Sequence, residues 1–442
     1  MARTDLPRMS FSESAAFVSI VALPVLAKGV IIRRKAVVGL AEKAGTDSRA
    51  VKLMQRLRAK HGDGPLLVRN PVRPQAILLR DEDVRRVLEG APEPFSPASR
   101  EKRAALSHFE PHGSLITRGP TRATRRAFND DVLESGCPIH RSAADFSGVV
   151  EQEAERLLRN GIASGALDWD AFFDSWMRIV RRVVLGAGAR DDDQLTRMIV
   201  RLRRRANWAF AARRNRGLRE AFHLRLQSHL DRAEPGSLAF LIGRRSWAEA
   251  TEPAHQVAQW LFAFDPGGMA TYRCLALLVA HADKLDKARS ETTSARDFTH
   301  LPFLRAAVVE TLRLYPTTPM VLRQTTHATE WPGGTLPKGS GVLIFAPFFH
   351  RDDERLATAH RFHPESWLNQ DPAHHAPLIP FSAGPAACPA RHLVPLIAGA
   401  FLACILRRID SIALEQIQRL DPARPLPGTL DPYSLRFTIA PS

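Results

Sequence analysis

Residues 380–389 read PFSAGPAACP, a glycine-containing loop that carries one cysteine, Cys388, directly before a proline. Proline suits the first position of a helix, because its missing N–H would have no partner there. The pattern therefore predicts that Cys388 caps a helix, where free N–H groups and the positive end of the helix dipole favour a thiolate. Such a thiolate in an apolar shell can be an axial haem ligand. Taken alone, the segment fits a buried structural cysteine about equally well.

A second pattern lies upstream, where Leu304, Val308 and Leu312 follow one another at helical spacing. Glu310 and Arg313 share a face of this predicted helix, because residues three apart are neighbours on a helix surface. An ion pair on a mostly apolar helix is costly unless it is hydrogen-bonded into the structure, so we expect the pair to tie the helix to a loop. Taken alone, the spacing is more often that of an ordinary surface ion pair.

Together these segments resemble the cytochrome P-450 superfamily, the haem-thiolate monooxygenases, in a bacterial-type form. The order of the other segments is similar too: a long apolar helix from about 253 to 281, a strand at 321–323, a turn at 337–339 and the sequence FHPESW at 362–367. The resemblance is specific from about residue 301 to 402 and weaker from about residue 60 onward. It implies a mainly α fold with small β-sheets and haem between the long helix and the cysteine loop.

The resemblance also implies roles for single residues. Cys388 is expected to be the axial thiolate ligand of the iron of haem b, while Phe381 and Gly384 shape the ligand loop. Glu310 and Arg313 are expected to stabilise the core beside the haem.

Haem propionates need cationic partners in a partly buried site. Arg122 and Arg126, in the segment 115–126, match family positions that supply them, and Arg323 matches another. The alternative for each is a solvated arginine. The family usually has a basic residue two before the cysteine, where this chain has Ala386, and Arg391 is expected to compensate.

The long helix departs from the family pattern, because residues 263–271 read AFDPGGMAT. Family members typically carry an acid and then a threonine where this helix crosses the haem, and Gly267 and Gly268 take those positions here. With Pro266, the two glycines are expected to open the helix into a groove for oxygen or water. Asp265, Thr271, water or a substrate group must then deliver protons, or the oxidant already carries them.

The substrate is expected to be a small and largely apolar organic molecule. The predicted pocket walls are Phe264, Thr318, Met320, Val321 and the loop that ends at Ile116.

The chain has 442 residues, of which 45% are apolar and 24% charged, which excludes disorder and coiled coil as the main class. Its net charge of +16 favours acidic partners. We expect an acidic ferredoxin- or flavodoxin-type electron donor. Nucleic acid is not expected as a partner, because the arginine run at 197–219 lacks a recognised binding fold.

The apolar stretch from Phe17 to Ile32 is interrupted by Pro24 and Lys28, which makes it too short and too broken for a membrane span. Residues 1–35 are therefore interpreted as a peripheral segment that lies against the body or on a membrane surface. Residues 36–442 are interpreted as a single catalytic domain. Four widely spaced cysteines favour a cytoplasmic location, with membrane association left open.

Three functional hypotheses follow. The first is monooxygenation with dioxygen and electrons from a redox partner. The second is peroxide-driven or otherwise atypical haem-thiolate chemistry, such as coupling, rearrangement or dehydration. The third is a haem sensor or carrier without turnover.

Overall fold

The computed structural model describes residues 6–62, 64–409 and 411–440. The predicted segments 1–35 and 36–442 therefore each include a few residues that lie outside the described ones, and the division at residue 35 stays a prediction. Helices dominate, as the sequence indicated. In chain order they are α1 (Phe11–Phe17), α2 (Leu23–Lys28), α3 (Lys35–Lys43), α4 (Thr46–His61), α5 (Asp81–Glu89), α6 (Arg100–Leu106), α7 (Gly119–Val132), α8 (Ala143–Ser164), α9 (Trp169–Leu185), α10 (Asp193–Ala206), α11 (Arg216–Arg232), α12 (Leu238–Gly243), α13 (Pro253–Ala280), α14 (Ala282–Ser294), α15 (Pro302–Leu314), α16 (Ala346–His350) and α17 (Leu393–Arg408).

The strands form three small sheets. They are β1 (Leu66–Val68), β2 (Gln75–Ile77), β3 (Phe95–Ser96), β4 (Ala166–Asp168), β5 (Met320–Thr325), β6 (Thr329–Trp331), β7 (Gly334–Leu336), β8 (Gly341–Phe345), β9 (Ser411–Leu414) and β10 (Arg436–Ala440). The largest sheet has the order β1-β2-β8-β5-β3, and only its β2–β8 pair is parallel among the described strands. Strands β4, β10 and β9 form a second sheet, and β6 and β7 form a hairpin.

The larger hydrophobic core lies among α8, α9, α13, α15 and α17. Aromatic rings fill it: Phe172 stacks on Phe401 with centroids 5.1 Å apart, and Trp176 is fully buried. Because apolar side chains occur all around α13 and α17, both helices are enclosed by other helices. This packing holds the long helix in a fixed position beside the cysteine loop.

The N-terminal segment packs on the largest sheet. Phe17, Val21 and Val25 are buried in a second core that includes β1, β2, β5 and β8. The opposite face of the segment is exposed at Phe11 and Val18.

The helical segment is longer than expected, so the prediction that it is too short for a membrane span is wrong. A capping box between Ser10 and Glu13 starts the helix at Phe11, and a π-helical turn, Val18–Ala22, carries the helix past Pro24. Among the described residues, Phe11–Lys28 is long and apolar enough to cross a membrane. A signal sequence or the buried core helix of a soluble protein meets the same criterion.

Candidate active site

A cavity of about 260 Å³ lies between α13, the end of α15, strand β5 and the loop that carries Cys388. Most of the exposed lining is apolar. Nine residues predicted for the site line this cavity: Arg122, Arg126, Phe264, Gly267, Thr318, Val321, Arg323, Phe381 and Cys388. These residues come from α7, α13, β5 and two loops, so the fold brings together positions up to 266 residues apart in sequence.

Cys388 is held by the backbone of its own loop. Its N–H donates to the carbonyl oxygen of Phe381 at 2.8 Å. Burial raises the pKa of the Cys388 thiol, against the opposing effects of the Ala390 N–H and of the Arg126 and Arg391 charges. A bound cation deprotonates a coordinating thiol outright. The site therefore suits a metal ligand better than a free nucleophile.

The prediction that Cys388 caps a helix is wrong. Residues 389–392 form turns, and α17 begins only at Leu393. The sulfur thus receives the Ala390 N–H and not the open end of a helix. For the same reason Pro395 lies in the first turn of α17, where a proline is tolerated.

Gly384 shapes the loop from outside the cavity. Its φ is +65°, a conformation that favours glycine, and a Cβ there would lie 2.3 Å from the carbonyl oxygen of Leu88. The loop can therefore lie directly against the end of α5, and this contact sets the direction in which the chain continues to Cys388.

Three cations in the cavity have no carboxylate partner among the described residues: Lys102, Arg122 and Arg323. Burial, and then the Arg122 charge, lowers the pKa of Arg323 to about 10. Burial, followed by Arg323 and Arg122, holds the pKa of Lys102 well below its usual range. The Nε atoms of Arg122 and Arg323 also lack hydrogen-bond partners within the described chain. Like charges left unpaired in a buried site are costly, so the arrangement requires an anion.

Two predicted cations behave differently. Arg126 lines the cavity, but it also pairs with Asp130 at 2.7 Å and donates to the Ala387 carbonyl. Arg391 does not line the cavity, because it pairs with Asp371 at 3.1 Å. The cation that the sequence analysis missed is Lys102, and nothing in its local sequence sets it apart from the charged residues beside it.

The long helix is not opened by its proline and glycines. Helix α13 runs without a break from Pro253 to Ala280. The indole N–H of Trp176 donates to the Phe264 carbonyl at 2.8 Å. A Cβ at Gly268 would lie 2.8 Å from Trp176 Cδ1. The expected groove for oxygen or water is therefore wrong: the missing side chain at Gly268 admits the Trp176 ring.

Asp265 and Thr271 do not face the cavity. Helix positions turn by about 100° per residue, so Asp265 lies nearly opposite the face formed by Ala263, Phe264 and Gly267. Its carboxylate pairs with Arg203 at 2.6 Å, with both side chains buried. The Thr271 hydroxyl donates to the Gly267 carbonyl at 2.8 Å within the helix. Of the four predicted catalytic positions on this helix, Asp265, Gly267, Gly268 and Thr271, only Gly267 lines the cavity.

Two predicted pocket residues also lie elsewhere. Side chains alternate along β5, so Val321 and Arg323 face the cavity while Met320 packs against the sheet core. Ile116 is buried in the helical core, and its neighbour Leu115 lines the cavity instead.

The Glu310–Arg313 pair is almost completely buried. Arg313 Nε and Nη2 each donate to a carboxylate oxygen of Glu310 at 2.7 Å. The carboxylate also accepts the His363 backbone N–H at 2.9 Å and the Trp367 indole N–H at 2.8 Å. Arg313 Nη1 donates to the carbonyl of His350 at 2.6 Å. The pair thus fastens α15 to the segment that leads to the cysteine loop.

Comparisons with known proteins agree with this geometry. The sequence model of the Cytochrome P-450 family matches residues 272–430. Drimenol monooxygenase of Persicaria hydropiper is 29% identical over 184 residues, which are 35% of this chain and 37% of that protein. Cyclooctat-9-en-7-ol 5-monooxygenase of Streptomyces melanosporofaciens is 35% identical over 25% of this chain and 24% of its own length. The chain thus matches only 24% to 37% of the length of these relatives.

Solved structures are similar over more of the chain. A zebra fish cytochrome P-450 with abiraterone has a TM-score of 0.66 at 18% identity, covering 89% of this chain and 99% of that one. A cyanobacterial cytochrome P-450 with bound retinoic acid has a TM-score of 0.69 at 17% identity, covering 88% and 94%. Relatives from plants and an animal occur beside bacterial ones, so the expected bacterial type is not borne out.

This family and fold imply a haem with an axial cysteine thiolate. The site fits such a group. Cys388 lies on one wall of the cavity, apolar side chains cover others, and Lys102, Arg122 and Arg323 offer the buried positive charge that two propionates require. Family match, fold and site agree: residues 272–430 match the Cytochrome P-450 family, and the chain has the fold of solved cytochromes P-450 around a site that fits their haem.

Proposed function

We propose that the chain catalyses the monooxygenation of a small, largely apolar organic substrate, using dioxygen and electrons from a redox partner. The observation that carries the proposal is the position of Cys388 on the wall of a mostly apolar cavity. Relatives that match parts of the chain are named monooxygenases or hydroxylases, among them geraniol 8-hydroxylase of Catharanthus roseus.

Haem supplies, when bound, the activation of dioxygen and the oxidation of a C–H or π-bond. The residues of the chain would hold the haem and orient the substrate. Cys388 would provide the sulfur ligand of the iron, and Lys102, Arg122 and Arg323 would bind the propionates. The side chains of Phe264 and Val321 exclude water from the substrate side.

The cavity has few side chains that could deliver protons. No carboxylate lines the cavity among the described residues. Asp265 is held by Arg203, and the Thr271 hydroxyl by the Gly267 carbonyl. Protons therefore reach the site through water or the substrate.

The same observation favours a second candidate, in which hydrogen peroxide is the oxidant. Peroxide brings both the electrons and the protons that reduction of dioxygen would otherwise need. Coupling, rearrangement and dehydration are related reactions that also avoid a relay of side chains.

One experiment separates these candidates. Compounds that displace water from ferric iron are first found by difference spectroscopy, and each is then incubated with the haem-loaded protein. Product with NADPH, ferredoxin and reductase supports the main proposal, whereas product only with hydrogen peroxide replaces it by the second. Tight ligand binding without product under either condition contradicts both and leaves a haem sensor or carrier.

We extend the proposal to an acidic ferredoxin- or flavodoxin-type donor that docks beside the cysteine loop. Helix α5 packs against the turn Gly384–Ala386, and its Arg85 and Arg86 are exposed there. Opposite charges across an interface speed association and make it depend on salt. Arg85→Glu is expected to raise the KM for the donor and to weaken its salt dependence. Arg424→Glu, at a highly exposed site on another part of the chain, is the matched control; equal effects of both contradict this docking site.

The proposed location is cytoplasmic with peripheral membrane contact. Phe11, Val18 and Leu23 expose apolar side chains along one face of the N-terminal segment. Trp208 lies close to this segment, because its neighbour Asn207 accepts the backbone N–H groups of residues 31 and 32. The Trp208 side chain is 62% exposed.

Co-sedimentation with anionic phospholipid vesicles tests this contact. Replacing Phe11, Val18 and Leu23 by Ser together is expected to release the protein from the vesicles. Val72→Ser removes an equally exposed apolar side chain elsewhere and should change nothing. Unaltered vesicle binding of the triple variant contradicts the contact.

A further inference from the structure

A cluster of imidazole and carboxylate groups lies outside the cavity, at the start of α13. Glu252 directly precedes this helix, and His255 lies in its first turn. His112 comes from the loop between α6 and α7, and His223 comes from α11. Three separate parts of the chain thus bring chemically similar side chains to one place.

The groups are close enough to share one ion. One ligand atom from each of His112, Glu252 and His255 lies within 4.8 Å of the other two. Zinc bonds of about 2.0–2.2 Å place tetrahedral ligand atoms roughly 3.4 Å apart, so small side-chain rotations close the set. The His223 ring is also adjacent, with its centroid 4.0 Å from that of His255.

His112 Nδ1 is hydrogen-bonded to Glu252 Oε1, whereas the other two imidazoles each have a nitrogen without a partner in the described part of the chain. Nδ1 of His255 and Nδ1 of His223 are buried and lack hydrogen-bond partners among the described residues. His223 Nε2 lies 2.8 Å from the Phe109 carbonyl oxygen, so it donates its proton there and leaves Nδ1 as the acceptor. A metal binds an imidazole through the nitrogen that carries no proton, so the two Nδ1 atoms are the available ligand atoms.

We propose that His112, Glu252 and His255 form a site for a divalent transition-metal cation, with Zn²⁺ as the representative ion and His223 as the fourth available ligand. Two imidazoles and a carboxylate form a ligand set that zinc accepts in proteins. Nitrogen ligands favour zinc, nickel or copper over calcium and magnesium, which prefer oxygen.

The surroundings limit the affinity. Arg125 donates to the second carboxylate oxygen of Glu252 and withdraws part of its charge from a metal. Arg219 adds positive charge near His255 and His223, and the N-terminal end of α13 carries a partial positive charge. The imidazole nitrogens must therefore supply most of the binding.

A cation here would fasten the loop over the cavity. Gln256 already connects the two sides, since it accepts the Ser114 N–H and donates to the His112 carbonyl, both at 3.0 Å. Ser114 itself lines the cavity. Metal binding would add a second connection between this loop and α13.

Equilibrium dialysis of the haem-loaded full chain against Zn²⁺, after treatment with a chelator, tests the site. We expect one zinc per chain that is retained by the wild type. His112→Ala and Glu252→Gln are each expected to weaken zinc binding at least 10-fold. His112 is about half exposed, so its replacement leaves the fold intact even if His255→Ala does not fold.

His374→Ala and Cys137→Ser are the matched controls, since both side chains are exposed ligands outside the cluster. They are expected to keep wild-type zinc binding. A zinc-dependent rise in Tm should occur in the wild type and both controls but not in His112→Ala. The inference is overturned if the wild type retains no zinc, or if His112→Ala and Glu252→Gln retain it as tightly as the wild type. Because neither measurement uses turnover, failure of the proposed monooxygenation leaves this test unchanged.

Discussion

Replacing Glu310 by Gln keeps the size of the side chain but removes its charge from the buried network with Arg313. The Glu310 carboxylate accepts four N–H groups, two from Arg313 and one each from His363 and Trp367. Glutamine has one carbonyl oxygen, which accepts at most two of them. Its NH₂ group then faces the remaining donors.

The expected loss follows from these contacts. Two lost hydrogen bonds to a charged group, at about 1.5–3 kcal/mol each, give about 3–6 kcal/mol. Breaking a buried ion pair on one side costs about the same, 3–5 kcal/mol. Arg313 keeps its bonds to the carbonyls of His350 and Arg361, so the guanidinium is not left without partners.

Urea unfolding followed by far-ultraviolet circular dichroism measures the change, with haem content equal in all samples. Asp170→Asn is the control, because the Lys35–Asp170 pair has side chains 57% and 80% exposed and should contribute less than about 1 kcal/mol. Trp367→Phe removes one of the four donors and should cost about 1–2 kcal/mol. If Glu310→Gln lowers the unfolding free energy no more than Asp170→Asn, the reasoning about this network is refuted.

Cys388→Ser is expected to abolish the thiolate type of ferrous–carbon monoxide spectrum, and an unaltered Soret band would contradict the ligand assignment. Lys102→Met should weaken haem binding about 10-fold in a haem-transfer assay, because a charged hydrogen bond is lost. It should stabilise the haem-free chain against urea, because an unpaired buried charge is removed. A change of the opposite sign in either measurement contradicts the role of Lys102. Gly268→Ala should lower the unfolding free energy by about 1–3 kcal/mol, because its methyl group meets the Trp176 ring. Gly148→Ala, which lies inside α8 and meets no atom within 4 Å, should instead raise the unfolding free energy by up to about 1 kcal/mol, and a loss equal to that of Gly268→Ala would contradict the packing explanation. Burial, and then Arg313, lowers the pKa of His350 to about 3, while an unfolded histidine has a pKa of about 6.5. The unfolded chain therefore binds the proton first, and stability falls as pH drops below 6.5, by about 2 kcal/mol at pH 5. In His350→Gln, the free energy of urea unfolding should therefore fall less between pH 7 and pH 5 than in the wild type. An unchanged fall would contradict this role of His350.

Local patterns predicted much of the architecture. The long apolar helix, expected from about 253 to 281, runs from Pro253 to Ala280. Spacing alone also placed Glu310 and Arg313 together, because an i, i+3 pair is set within one helix turn. Such features depend on neighbours in sequence, and the sequence contains them directly.

The wrong predictions concern contacts between distant segments. Gly268 reads as a helix breaker, but Trp176, which lies 92 residues earlier, packs on it and keeps the helix continuous. From the sequence, Asp265 is a candidate proton donor, but in the fold it forms an ion pair with Arg203 of α10. Lys102 is one of several cations in its segment, and only the fold shows that it reaches the cavity.

The unpaired charges of Lys102, Arg122 and Arg323 have a consequence for how the protein is made in the cell. A newly synthesised chain must bring these three mutually repelling side chains together in its interior before haem propionates neutralise them. Because haem would bind the folded chain and not the unfolded one, we expect maturation to depend on haem supply, with haem-free chains unfolding and being degraded more often.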